Sequence, residues 1–99
     1  MNLFDTEEEV LTIEKEKNAG TDTSAGAKVI LFNDDYHTFD EVIVQVIKAI
    51  NCDHKRAENV AWTVHNDGKC DVYNGPVEEC LHVSAVLEEI HLKTEIEFL

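Results

Sequence analysis

Asn33, Asp34, Asp35 and Tyr36 are four consecutive polar residues rich in acceptor atoms, with His37 directly after them and a second histidine, His65, further along. An amide oxygen, a carboxylate and a neutral imidazole nitrogen are acceptors of differing geometry. A ligand with several N–H donors and a positive charge wants such a set, and an α-ammonium is that ligand. If the chain is extended at 33–35, Asn33 and Asp35 point the same way and Asp34 points opposite, leaving its backbone available. Asn33, Asp35 and His65 would then supply the three acceptors, and Phe39, Val42, Ala61 and Val64 could line an apolar pocket beside them. Plainer uses exist. Asn and Asp favour turns, and a histidine near a helix C-terminus suits the dipole. Asp34, Asp35, His37 and His65 could also form a hydrolytic metal site. The sequence has no H-x-x-x-H or H-E-x-x-H, however, and 99 residues leave little room for a substrate cleft. No catalytic residue, metal or cofactor is expected.

The elements that must position these residues follow from the apolar spacing. Lys28-Val29-Ile30-Leu31-Phe32 is a β-branched apolar run, which predicts a strand buried on both faces. Thr38 with Glu41 three residues on is a capping box. It opens a helix whose inner stripe is Phe39, Val42, Ile43, Val46, Ile47 and Ile50, closed by Asn51. Asp53 caps a second helix with Ala57, Val60, Ala61 and Val64 inside; Asn66-Asp67-Gly68 turns the chain into a short strand from Lys69 to Tyr73. Pro76 suits the first position of a third helix, whose stripe is Val83, Val86, Leu87 and Ile90. Glu95-Ile96-Glu97-Phe98 alternates as a half-buried strand does. The order β-α-α-β-α-β predicts an α+β two-layer sandwich: three helices on a three-stranded antiparallel sheet.

Composition narrows the partners. One domain's worth of chain, 43% hydrophobic, carries 21 acidic against 8 basic residues and a net charge of −13. Such a surface repels phosphate backbones and anionic membranes, so neither nucleic acid nor membrane is an expected partner. Three cysteines, Cys52, Cys70 and Cys80, form no C-x-x-C pair, which points to reduced thiols in a cytoplasmic setting. The N-terminus has no basic and apolar leader. Residues 1–27 hold seven acids and two lysines, with Gly20 to Gly26 as a linker. They read as a flexible acidic tail, and 28–99 as the folded domain.

The run Lys28-Val29-Ile30-Leu31-Phe32-Asn33-Asp34-Asp35-Tyr36, then Val64-His65 with Gly68-Lys69 after it, resembles the ClpS family, adaptors of the bacterial Clp protease that recognise N-degrons. The resemblance covers essentially all of 28–99. It implies a non-enzymatic adaptor, acting as a monomer, that binds substrates through a free bulky N-terminal residue (Leu, Phe, Tyr or Trp) and hands them to a Clp ATP-dependent protease. The implied partners are N-degron substrates and the N-terminal domain of an AAA+ Clp unfoldase, which the N-terminal extension engages. The α-amino group is held in the family by the Asn, an Asp of the pair and the His: here Asn33, Asp34 or Asp35, and His65. The side-chain pocket maps to His37, Phe39, Val42, Ala61, Val64 and Leu92, and protease docking to Glu78, Glu79 or His82. Two positions depart from the family. His37-Thr38-Phe39 stands where Thr-Pro-Met is common, and Ala61 replaces a usual methionine. Both changes fall on the pocket. A structural protein-interaction domain of similar fold is the competing reading, and the pairing of Asn33 with His65 is what separates the two.

Overall fold

The computed structural model describes residues 26–99. Six elements follow in the order β1 (Gly26–Phe32), α1 (Phe39–Ile50), α2 (His54–Asp67), β2 (Lys69–Pro76), α3 (Val77–Glu88) and β3 (Thr94–Phe98). The fold is the expected α+β arrangement. The sheet is antiparallel throughout, in the order β2-β1-β3, so the first strand is central. β1 begins at Gly26, two residues before the apolar run that marks it in the sequence.

Local chemistry sets the ends of the helices. Thr38 Oγ1 accepts from the Glu41 N–H at 3.1 Å, while the Glu41 carboxylate accepts from the Thr38 N–H at 2.8 Å. This reciprocal box satisfies two donors the helix cannot use itself. Asn51 closes α1 in the left-handed region at φ 54°, its N–H reaching the Ile47 carbonyl. Asp53 caps α2 by accepting from the Arg56 N–H at 2.8 Å. Gly68 ends α2 at φ 86°, so the helix runs through Asp67 and the predicted turn shrinks to one residue. Pro76 lies one position before α3 rather than inside it. With φ −58° and ψ 148° it is extended and completes β2.

The core lies between the sheet and the helices. Ala27, Val29 and Leu31 of β1, Val72 of β2, Val46 of α1 and Leu87 of α3 are all essentially inaccessible. Burying each Val or Leu contributes about 1.5–3 kcal/mol. The register slips between Val29 and Ile30, leaving Val72 at a bulge in β2, where the Arg56 guanidinium reaches its carbonyl. On the opposite sheet face Lys28 bridges Asp71 at 3.2 Å and Glu97 at 3.3 Å, tying both outer strands to the central one. α3 stops at Glu88, so Ile90 falls in the following turn, half-buried. Buried Gln45 donates to the Val86 carbonyl at 2.6 Å and fastens α1 to α3. No helix among the described residues is long and apolar enough to cross a membrane.

Candidate functional site

Where β1 ends, the chain must leave the sheet and start α1 within six residues, 33–38. Two backbone bonds fix its path: the Phe32 N–H donates to the Lys93 carbonyl at 3.0 Å and the Asn33 N–H to the Gly68 carbonyl at 2.9 Å. The second bond joins the end of β1 to the end of α2. It brings Asn33 beside His65, three residues before Gly68.

Asp34 organises the loop. One carboxylate oxygen accepts from the N–H groups of Tyr36 and His37, each at 2.9 Å, and the other meets His37 Nδ1 at 2.7 Å. Three of its roughly four lone-pair sites are thus taken within the loop. Burial alone would push the Asp34 carboxyl up, but the two N–H groups and the His37 ring outweigh it and hold the acid below its ordinary range. Burial likewise works against a charged His37, yet the bonds to Asp34 and to the Ile90 carbonyl raise its pKa above the usual value. His37 Nε2 lies 2.5 Å from that carbonyl oxygen. Both ring nitrogens therefore face oxygens that only accept, and the ring satisfies both only as an imidazolium. When protonated, His37 bolts the site loop to the turn after α3.

Asn33, Asp34, Asp35, His37, Phe39, Val42, Ala61, Val64 and His65 line one cleft with Thr38, enclosing about 250 Å³. The apolar wall comes from α1 and α2; Ala61 and Val64 are buried beneath it. The acceptors stand at the rim, with Asn33, Asp35 and His65 exposed. Pockets for drug-sized ligands run to about 300–1,000 Å³, so this smaller cleft suits one side chain and a small polar head. Leu92 is placed differently. It is buried and lines an adjoining recess of about 20 Å³, which shares Asn33, Asp34, His37, Val42 and Val64 with the cleft and has room for about one water. Glu78, Glu79 and His82 line another cavity altogether, of about 330 Å³, with Asn51 and Tyr73. Tyr73 donates its hydroxyl to Glu79 there. Among the described residues no three His, Cys, Asp or Glu side chains are grouped to hold a metal.

Sequence reasoning missed Trp62. It is half exposed and set edge-on to Phe39 at 4.6 Å between ring centroids. The available signal was its place three residues before His65, on the same helical face.

Fold and site together give a small module with one cleft that has an apolar wall and the acceptors Asn33, Asp35 and His65 at its rim. Residues 22–95 match the family model described as ATP-dependent Clp protease adaptor protein ClpS, and the chain belongs to that family. It is 37% identical over 84 residues to the human E3 ubiquitin-protein ligase UBR2 and 36% identical over 84 residues to the mouse protein, covering 80% of this chain. The chain spans about 5% of the length of these curated relatives. The solved structure of Agrobacterium tumefaciens ClpS2 bound to L-phenylalaninamide shares the fold. Its TM-score is 0.67 at 21% identity, covering 77% of this chain and 99% of that one.

Proposed function

We propose that the domain captures the free N-terminus of a protein whose first residue is Leu, Phe, Tyr or Trp, and presents that protein for degradation. One observation carries this: three acceptors of different kinds, Asn33, Asp35 and His65, share a cleft with an apolar wall sized for one side chain. An α-ammonium donates three bonds to those acceptors while its side chain enters between Phe39, Val42 and Val64. Asp35 is the better carboxylate for the cation, since Asp34 is committed to the loop. The domain itself performs no chemistry in this reading. Membership of the ClpS family supports delivery to a Clp AAA+ unfoldase, with the 1–27 extension engaging it and Glu78, Glu79 and His82 near the docking face.

A second reading concerns the delivery step alone. The 37% identity to UBR2 favours a module that reads N-termini for ubiquitin ligation. Co-purification of the full chain with a Clp unfoldase N-terminal domain, or with a ubiquitin-transfer activity, decides between the two.

Peptides beginning with Phe, each with a free or acetylated N-terminus, test the capture step. Acetylation removes the charge and two donors, so binding should fall by about tenfold or more. Asp35→Ala should weaken the free peptide at unchanged Tm, whereas Asp34→Ala should lower the Tm. Equal binding of free and acetylated peptides would overturn the reading.

A further inference from the structure

Trp62 is the single tryptophan of the chain, and it lies outside the core cluster. It stands on α2 three residues before His65 and is 50% exposed. Its indole meets the Phe39 ring at 4.6 Å with the planes at 67°, and the His65 ring at 6.2 Å and 78°. Phe39 and His65 are 5.8 Å apart at 73°. Each ring is set on edge against the other two, so they form one braced wall. Phe39 and His65 face the cleft, and Trp62 continues the wall outside it. Bracing Phe39 needs only a modest apolar side chain. A tryptophan with half its surface in water and its ring set against Phe39 and His65 offers a flat face to something else.

A bound chain brings something to that face. With its ammonium at Asn33, Asp35 and His65 and its first side chain in the cleft, the first Cα sits at the mouth. The next Cα lies about 3.8 Å further on. The indole, beside His65, is within reach of a side chain at that second position. Tyr36, the other aromatic near the rim, is 89% exposed and gives no braced surface. Glu58 lies four residues before Trp62, on the same face of α2. An indole face with a carboxylate one turn away on the same helix suits a cation, above all a planar guanidinium.

We propose that Trp62 reads the second residue of the captured chain and favours arginine or lysine there. This rests on the cleft being an N-terminus site. The test uses the full chain and peptides identical but for Phe-Arg, Phe-Gly or Phe-Asp at the start, with phenylalaninamide as a ligand that has no second residue. Calorimetry at one ionic strength should give Phe-Arg an advantage over Phe-Gly of about two- to fivefold. Trp62→Leu keeps an apolar brace on Phe39 but removes the indole. It should reduce that advantage to whatever general charge attraction leaves, with phenylalaninamide affinity unchanged within about twofold. In the unaltered chain, indole fluorescence should shift with Phe-Arg and far less with Phe-Gly, a readout needing no variant. Equal weakening of all ligands by Trp62→Leu, phenylalaninamide included, or an Arg-to-Gly ratio and a fluorescence response indifferent to the second residue, would overturn the proposal while leaving the cleft reading intact. No preference for free over acetylated N-termini overturns both.

Discussion

His37 is the residue whose protonation the site geometry demands, and this gives a stability signature with a definite sign. Its ring is bound at both nitrogens by acceptors, and its side chain and that of Asp34 are only 14% and 18% exposed. The raised pKa of His37 means the imidazolium is more stable in the folded chain than in the unfolded one. That contribution is fully present below about 6.5, the ordinary imidazole value, and is lost as pH rises through the higher folded value. Asp34 works in the other direction. Its depressed pKa adds stability above the ordinary carboxylate range, lost as pH falls through the lower folded value. The pair is therefore strongest in the window between the two. His37→Phe keeps a ring in the loop and removes both bonds. The Tm difference from the unaltered chain should be several degrees at pH 6, for about 1–2 kcal/mol lost, and should shrink steadily towards pH 9. A difference that stayed constant over that range would mean the ring is held neutral.

At the scale of elements, the site depends on one junction. Gly68 ends α2 at φ 86° and offers its carbonyl to Asn33, so a single residue sets both the helix end and the distance between two rim acceptors. A Cβ built at Gly68 meets nothing within 4 Å, so its cost is backbone strain alone. Gly68→Ala should lower stability by about 1–2 kcal/mol, and Gly68→Asn by less, because asparagine tolerates the left-handed region. Thermal melts of the two variants check the order, and a smaller loss for alanine would contradict the strain account. The junction also shows what could be read from the sequence. The capping box at Thr38, the left-handed Asn51 and the inner faces of α1 and α2 follow from local rules and were legible. So was the grouping of polar and apolar residues that now line one cleft. What escaped depends on contacts distant in sequence. The His37 bond to Ile90 crosses 53 residues, and the Phe39–Trp62 stack joins two helices. Leu92 is set in the pocket by resemblance; it is buried in the fold and lines a small recess that shares Val42 and Val64 with the cleft. Pro76 slipped by one position because β2 continues to the helix without a loop.

Taken as a whole, the molecule is strongly acidic, and the ligand head proposed for its cleft is a cation. The charge of −13 is spread over the chain, and seven of its acids against two lysines fall in residues 1–25, ahead of β1. Every residue lining the cleft lies after that segment. A distributed negative field raises the local concentration of an incoming ammonium without making a bond to it. Its range is set by salt, with a screening length of about 10 Å at 0.1 M and about 3 Å at 1 M. In the proposed complex the holding contacts are hydrogen bonds and apolar packing within the cleft, where salt screens less. Salt should therefore act on association far more than on dissociation. Stopped-flow anisotropy of an otherwise neutral Phe-first peptide labelled at its C-terminus should show an on-rate several-fold lower at high salt than at low salt, with an off-rate nearly constant. Removing residues 1–25 spares the whole of β1 and takes away part of the field. The truncated chain should start from a lower on-rate at low salt, vary less steeply with ionic strength, and converge with the full chain at high salt. If the truncated chain instead loses affinity at every salt concentration, the segment before Gly26 contributes contacts to the bound state, and the separation between a charged extension and a self-sufficient cleft fails.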